Sequence, residues 1–217
     1  MKHNQSGFTL VEIAIVLVII GLLLGGVMKG QELINSAKVK NMASDFRNVQ
    51  VMIYGYQDKY KRLPGDDNGA VARWTLTAGH QGDGNGTIGG SWNDTSPTKE
   101  SVALWEHLRK ANLATGSTDF SADDVSAVLP TNADGGRFGV SGTMPILKMT
   151  GGTFYACSDS IDGKFAAQLD LTLDDGVPNT GSVQAIAQSS GATQATGAKA
   201  ADTKYTDGTR YTVCMTY

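Results

Sequence analysis

A chain of 217 residues, 41% hydrophobic and 18% charged, has room for one or two packed domains and is too apolar to be disordered throughout. Its net charge of -3 hides an asymmetry: residues 1–61 carry seven Lys/Arg against four Asp/Glu, and residues 62–217 carry eleven against seventeen. The acidic part offers no basic patch, so nucleic acid is not expected as a partner, and its acidity reads as a solvated surface.

The first element in the chain is an apolar run, Phe8–Met28, of 21 residues with a single charge at Glu12. As a helix it would extend roughly 30 Å, about the hydrocarbon thickness of a bilayer. A run apolar on every side has no face for water, which favours a membrane helix over a buried core helix. The polar start MKHNQSG is short and no Ala-x-Ala site follows the run, so the helix is expected to be retained rather than removed as a secretory signal. Lys2 precedes it, whereas Lys29, Lys38 and Lys40 follow it, so charge does not fix its orientation. A carboxylate deep in such a helix costs about 2.5–3.5 kcal/mol, which leaves two readings of Glu12. It snorkels to the interface, or it is paired and functional.

The segment Gly7-Phe8-Thr9-Leu10-Val11-Glu12 resembles the type IV prepilin cleavage site, and the likeness covers residues 1 to about 30. It includes the short basic leader, the Gly/Phe junction, the glutamate and the apolar tail. The resemblance implies cleavage between Gly7 and Phe8 by a membrane-bound prepilin peptidase and N-methylation of Phe8. It also implies pairing of Glu12 with the Phe8 ammonium of a neighbouring subunit. Physically, two opposite charges in an apolar setting offset each other's desolvation only when subunits meet, so such a pair sets register. Where the family often has a proline, this chain has Lys29, with Gly21, Gly25, Gly26 and Gly30 around it. Those glycines serve either local loosening of the helix or close helix–helix packing.

Beyond the apolar run, Val39, Met42, Phe46, Val49, Ile53, Tyr56 and Tyr60 recur at alternating spacings of three and four. This predicts an amphipathic continuation to Lys61, ended by Pro64-Gly65, and one helix of about 80 Å from Phe8. Residues 62–97 read as loop. Residues 98–114 read as a helix with Val102, Trp105, Leu108 and Ala111 on one face, started at Ser96-Pro97 or Thr98 and ended at Gly116. Strands are expected at 143–149 and 152–156 with a turn at Gly151-Gly152, then a helix over 161–174, and strands at 182–187 and 209–216. Residues 188–208 read as a surface loop.

The two cysteines, Cys157 and Cys214, have no Cys-x-x-Cys spacing, and an even count in an exported chain predicts a disulfide. Many pilins share such a bridged C-terminal region. In Gly82-Asp83-Gly84-Asn85-Gly86, Asp83, Asn85 and Thr87 place oxygens at alternate positions as a calcium loop does, with Asp66 or Asp67 as further ligands. The loop lacks the later glutamate of an EF-hand, and a glycine-rich turn whose Asp and Asn serve backbone geometry is the preferred reading. Asp170, Asp174 and Asp175 read as a helix-end turn rather than a metal or catalytic cluster. His3, His80 and His107 are scattered, and no His-Glu-x-x-His, phosphate-loop or Gly-x-Ser-x-Gly pattern occurs, so no enzyme is expected.

The expected fold is α+β and pilin-like: a long N-terminal helix, half transmembrane, packed on a small antiparallel sheet with extra short helices. Its expected divisions are a leader at 1–7, a transmembrane half-helix at 8–30, an amphipathic half-helix at 31–61 and a head at 62–217. The PGD turn, the GDGNG loop, Leu104-Trp105-Glu106-His107-Leu108 and Leu173-Asp174-Asp175-Gly176-Val177-Pro178 resemble features of larger prepilin-type heads. The function implied is a structural subunit of a type IV pilus-like fibre. Alternatives are a type II secretion pseudopilin and a membrane-tethered binding protein that does not polymerise. Implied partners are other pilin or pseudopilin subunits, the peptidase, an inner-membrane assembly platform and, before assembly, membrane lipid. The implied location is the bacterial inner membrane, then a periplasmic or surface fibre.

Overall fold

A computed structural model describes residues 9–147, 149, 151–188 and 199–217. The elements in chain order are α1 (Leu10–Tyr60), α2 (Ala70–Trp74), α3 (Glu100–Lys110), a short 3-10 helix (Ser126–Val128), β1 (Phe138–Ser141), β2 (Ile146–Leu147), β3 (Tyr155–Asp162), α4 (Gly163–Leu173), β4 (Val183–Ala187), β5 (Lys199–Ala200) and β6 (Arg210–Thr216). The chain divides into two compact units, Met1–Lys38 and Val39–Tyr217. In the first unit the only described element is the N-terminal part of α1. It contains a window long and apolar enough to cross a membrane, none of which is buried.

In the second unit, α1 buries Val39, Met42, Ala43, Phe46, Val49, Ile53 and Tyr56. This is the expected stripe, except that Tyr60 is only half-buried. The helix stops where Lys61 turns left-handed at φ 56°. Leu63 and Pro64 then fold into the core.

The main sheet has the order β1-β3-β6-β4, with every neighbouring pair antiparallel. Residue alternation sends Phe138, Val140, Ala156, Val183, Ala185 and Val213 toward the core shared with α1, α3 and α4. It sends Tyr155, Cys157, Ile186 and Cys214 to a smaller cluster on the opposite face, with Trp92, Ile146 and Met149. Between Ser158 and Ile161 the register shifts, with Ser160 at φ 57°, and this extra residue returns Ile161 to the main core.

The strands at 182–187 and 209–216 and the helix over 161–174 form as expected. The hairpin does not. β3 pairs not with 143–149 but with Phe138–Ser141, and among the described residues of the expected strand only Ile146–Leu147 is extended, paired in parallel with Lys199–Ala200. Both faces of β1 are covered, so its four buried residues show no apolar–polar alternation. Ile146 and Met149 instead fill the cluster behind the disulfide. The loop expected over 188–208 holds β5, and Asp202 N donates to Ala185 O at 2.9 Å, tying the segment after β5 to β4; residues 189–198 lie outside those described.

Two further differences have local causes. The loop expected over 62–97 contains the short helix α2. Helix α3 begins after Lys99 with no side-chain cap, and it ends at Asn112, which adopts φ 61°, rather than at Gly116. Its predicted apolar face is buried, but so is every residue from Ser101 to Arg109. Three of those are ionisable, and each has partners that sequence spacing does not show.

Candidate functional sites

The first site is the start of α1. Glu12 Oε2 accepts hydrogen bonds from Thr9 N and Thr9 Oγ1, both at 2.8 Å, while Glu12 N donates to Thr9 Oγ1 at 3.3 Å. This is a reciprocal capping box, in which a threonine and the glutamate three residues on satisfy the free N–H groups at a helix start. The Thr-x-x-Glu spacing was legible in the sequence, and neither reading of Glu12, as a snorkelling or as a paired group, included it. Gly7 and Phe8, the expected cleavage pair, lie outside the described residues. The glycines of the apolar run have open space beside them: a Cβ at Gly21, Gly25, Gly26 or Gly30 would meet nothing within 4 Å.

The second site is built where the PGD turn meets the GDGNG loop. Buried Asp66 holds the loop through its backbone: Gly84 N and Asn85 N donate to Oδ1 at 2.6 and 3.0 Å, and Gly86 N donates to Oδ2 at 2.7 Å. Glu100 does the same from the start of α3, accepting from Asp83 N at 3.0 Å and Gly89 N at 2.6 Å. Gly82 packs so closely that a Cβ there would collide with the Asp66 backbone, and Gly86 takes φ 88°. The carboxylates of Asp66, Asp83 and Glu100 bring ligand atoms within 4.8 Å of one another. Of the expected calcium residues, Asp66 and Asp83 therefore meet. Asn85 Oδ1 is engaged by Thr87 N and Thr87 Oγ1 at 2.8 and 2.6 Å. Glu100 was not singled out, because it lies 17 residues from Asp83 and only the fold joins them.

Asp67, the other expected ligand, turns away from this loop. Its Oδ2 accepts from Tyr56 Oη at 2.7 Å and from Arg73 Nη1 at 2.6 Å, and its Oδ1 accepts from Gly69 N at 2.8 Å. Burial opposes its charge, but the bonds from Arg73, Tyr56 and Gly69 hold its carboxyl below the usual range. Asp67 thus fastens the end of α1 to α2, with Arg73 also lying over the Tyr60 and Trp74 rings.

His80 and His107, scattered in sequence, are adjacent here. His107 Nε2 bonds His80 O at 2.8 Å, its Nδ1 accepts from Gly65 N at 3.0 Å, and His80 Nδ1 bonds Glu106 Oε2 at 2.8 Å. Burial pushes His107 down to about 4. Arg109 carries its charge into the interior and donates to the carbonyls of Thr115, Ser117 and Val128 at 3.1, 2.8 and 2.7 Å. These groups order loops.

The acidic set at the end of α4 accepts hydrogen bonds from the following turn and also brings ligand atoms of Asp170, Asp174 and Asp175 within 4.8 Å of one another. Asp170, fully buried, accepts from Tyr205 Oη at 2.6 Å and Gly176 N at 3.1 Å. Asp174 takes Val183 N at 3.1 Å, and Asp175 takes Val177 N at 2.8 Å. Cys157 and Cys214 face each other across β3 and β6 and are joined in a disulfide, both fully buried.

Residues 2–28 match the family model described as the prokaryotic N-terminal methylation motif. No curated protein and no solved structure matches the chain. The N-terminal segment is thus a prepilin-type cleavage and methylation signature, carried on an α+β chain with a long apolar N-terminal helix and a small antiparallel sheet. That combination is similar to processed, pilin- or pseudopilin-like subunits.

Proposed function

We propose that this chain is a subunit of a type IV pilus-like fibre, cut after Gly7, methylated on Phe8 and assembled through α1. The methylation motif over residues 2–28 carries the reading. The new Phe8 ammonium would meet Glu12 of a neighbouring copy. The capping box adds a mechanism: before assembly, Thr9 satisfies the Glu12 carboxylate within the same chain, so the charge is not left bare. Before assembly the chain is anchored in the inner membrane, where the peptidase and the assembly platform act on it. A pseudopilin of a type II secretion system shares all these features, and the bridged region between Cys157 and Cys214 inclines the reading to a pilus.

Mass spectrometry of the mature N-terminus, with fractionation, tests this. The expected product begins at a methylated Phe8 and sediments with fibres, and Glu12→Ala abolishes the sedimenting form. Full-length uncleaved chain retained in membranes supports the non-polymerising tether instead.

For the head loop, we propose a calcium ion held by Asp66, Asp83 and Glu100, which supply the hard oxygen ligands that ion takes. Calcium would raise the melting temperature of the intact chain and a chelator would lower it, with Asp66→Ala insensitive to both. A melt unaffected by either leaves the loop a hydrogen-bonded turn, and Asp66→Ala then costs only its backbone bonds, about 2–3 kcal/mol.

A further inference from the structure

On one side of α1, within the second unit, a groove of about 450 Å³ opens between Asp45, Asn48, Val51 and Met52 and the rings of Trp105 and Phe138. Its walls are mostly apolar, and Val51 on its rim is 70% exposed. Asp45 is its one acidic group. Burial raises its carboxyl, and among the described residues no hydrogen bond or ion pair reaches it. Every other carboxylate brought into the head interior has donors: Asp66, Asp67, Glu106 and Asp170 all do. An acidic end without a donor, beside aromatic and aliphatic walls, has the chemistry to receive a lysine. The methylenes pack on the apolar wall and the ammonium meets the carboxylate.

We propose that this groove receives Lys40 of a second copy of the chain, and that the Lys40–Asp45 pair is a second intersubunit lock. The inference rests on the fibre reading and adds a contact to it. Lys40, Ser44, Arg47 and Val51 are all exposed and, at spacings of four, three and four, form the face of α1 turned from the buried stripe. A neighbour can therefore approach Lys40. The offsets agree as well. Phe8 to Glu12 runs from residue i of one copy to i+4 of the next, and Lys40 to Asp45 runs in the same sense from i to i+5. Along an α-helix these are staggers of about 6 and 7.5 Å, a difference that side chains absorb. The two pairs thus run in the same sense along the chain with similar offsets.

Charge reversal in a host that assembles the fibre tests the pair. Asp45→Lys and Lys40→Asp are each expected to lower the sedimenting polymer at least about fivefold, and the double variant to restore it to within about twofold of the parent. A second measurement uses the chain carrying both Lys40→Cys and Asp45→Cys, which is expected to give an oxidant-dependent ladder of dimers, trimers and longer species. Melting of each full-length variant in detergent checks the fold. Single reversals that polymerise like the parent, or a double variant no better than the singles when all melt normally, overturn the pair and leave the fibre reading standing. A parent chain that is cleaved yet never polymerises overturns the fibre reading, and the pair with it.

Discussion

At the scale of single residues, His107 shows how burial turns a sequence-neutral group into a structural one. Its Nδ1 must stay unprotonated to accept the Gly65 N–H. Protonation would place two donors face to face in a buried site, and its pKa falls to about 4. The folded value lies below the ordinary value of 6.5, so the unfolded chain takes up the proton first. The stability this group contributes is whole above about pH 6.5 and is lost as pH falls toward 4, by up to about 3 kcal/mol. Urea unfolding between pH 7.5 and 4.5 is expected to show that decline, with a shallower slope in His107→Gln; equal slopes in both would show that the imidazole is not its source. Neither the pairing with Gly65 nor that with His80 was legible, because the partners lie 42 and 27 residues away. Thr9 and Glu12 are the opposite case: three residues apart, their capping box can be read from spacing alone.

At the scale of elements, legibility tracks how many sides of an element the protein covers. The second half of α1 has one buried face and one exposed face, and its period of three and four gave the buried residues almost completely. Helix α3 is buried all round, so its apolar face was visible while the roles of Glu106, His107 and Arg109 were not. Strand β1 is covered on both sides and shows no alternation, and the strand placed at 143–149 borrowed its apolar character from residues packing behind the sheet. The disulfide links the two central strands of the sheet, 57 residues apart. Replacing both cysteines by serine is expected to cost about 2–5 kcal/mol in reversible unfolding, the usual range for a native bridge closing a long loop. A loss under about 1 kcal/mol would mean that the paired strands and the cluster around Trp92 hold this region without it.

At the scale of the whole molecule, what the chain does follows from α1 and what it carries follows from the head. The motif at residues 2–28 is local, a glycine, a phenylalanine, a glutamate and an apolar run in fixed order, and it marks processing without reference to any fold. An assembly through such a helix needs groups that are incomplete in one copy. In the proposed assembly, Glu12, bonded by Thr9 within one copy, and Asp45, which no hydrogen bond or ion pair among the described residues reaches, are two such groups on α1. The sequence by itself determined the methylation signature, the long helix, its buried stripe and the cysteine pairing, because each depends on near neighbours, on periodicity or on a count of two. Only the tertiary structure decided that Asp66 and Glu100 cradle one loop, that Asp67 clamps α1 to α2, that two distant histidines meet and that Asp45 lines a groove. Those depend on contacts between segments far apart in the chain, and burial, which sets their charge and bonding, exists only once the segments are packed.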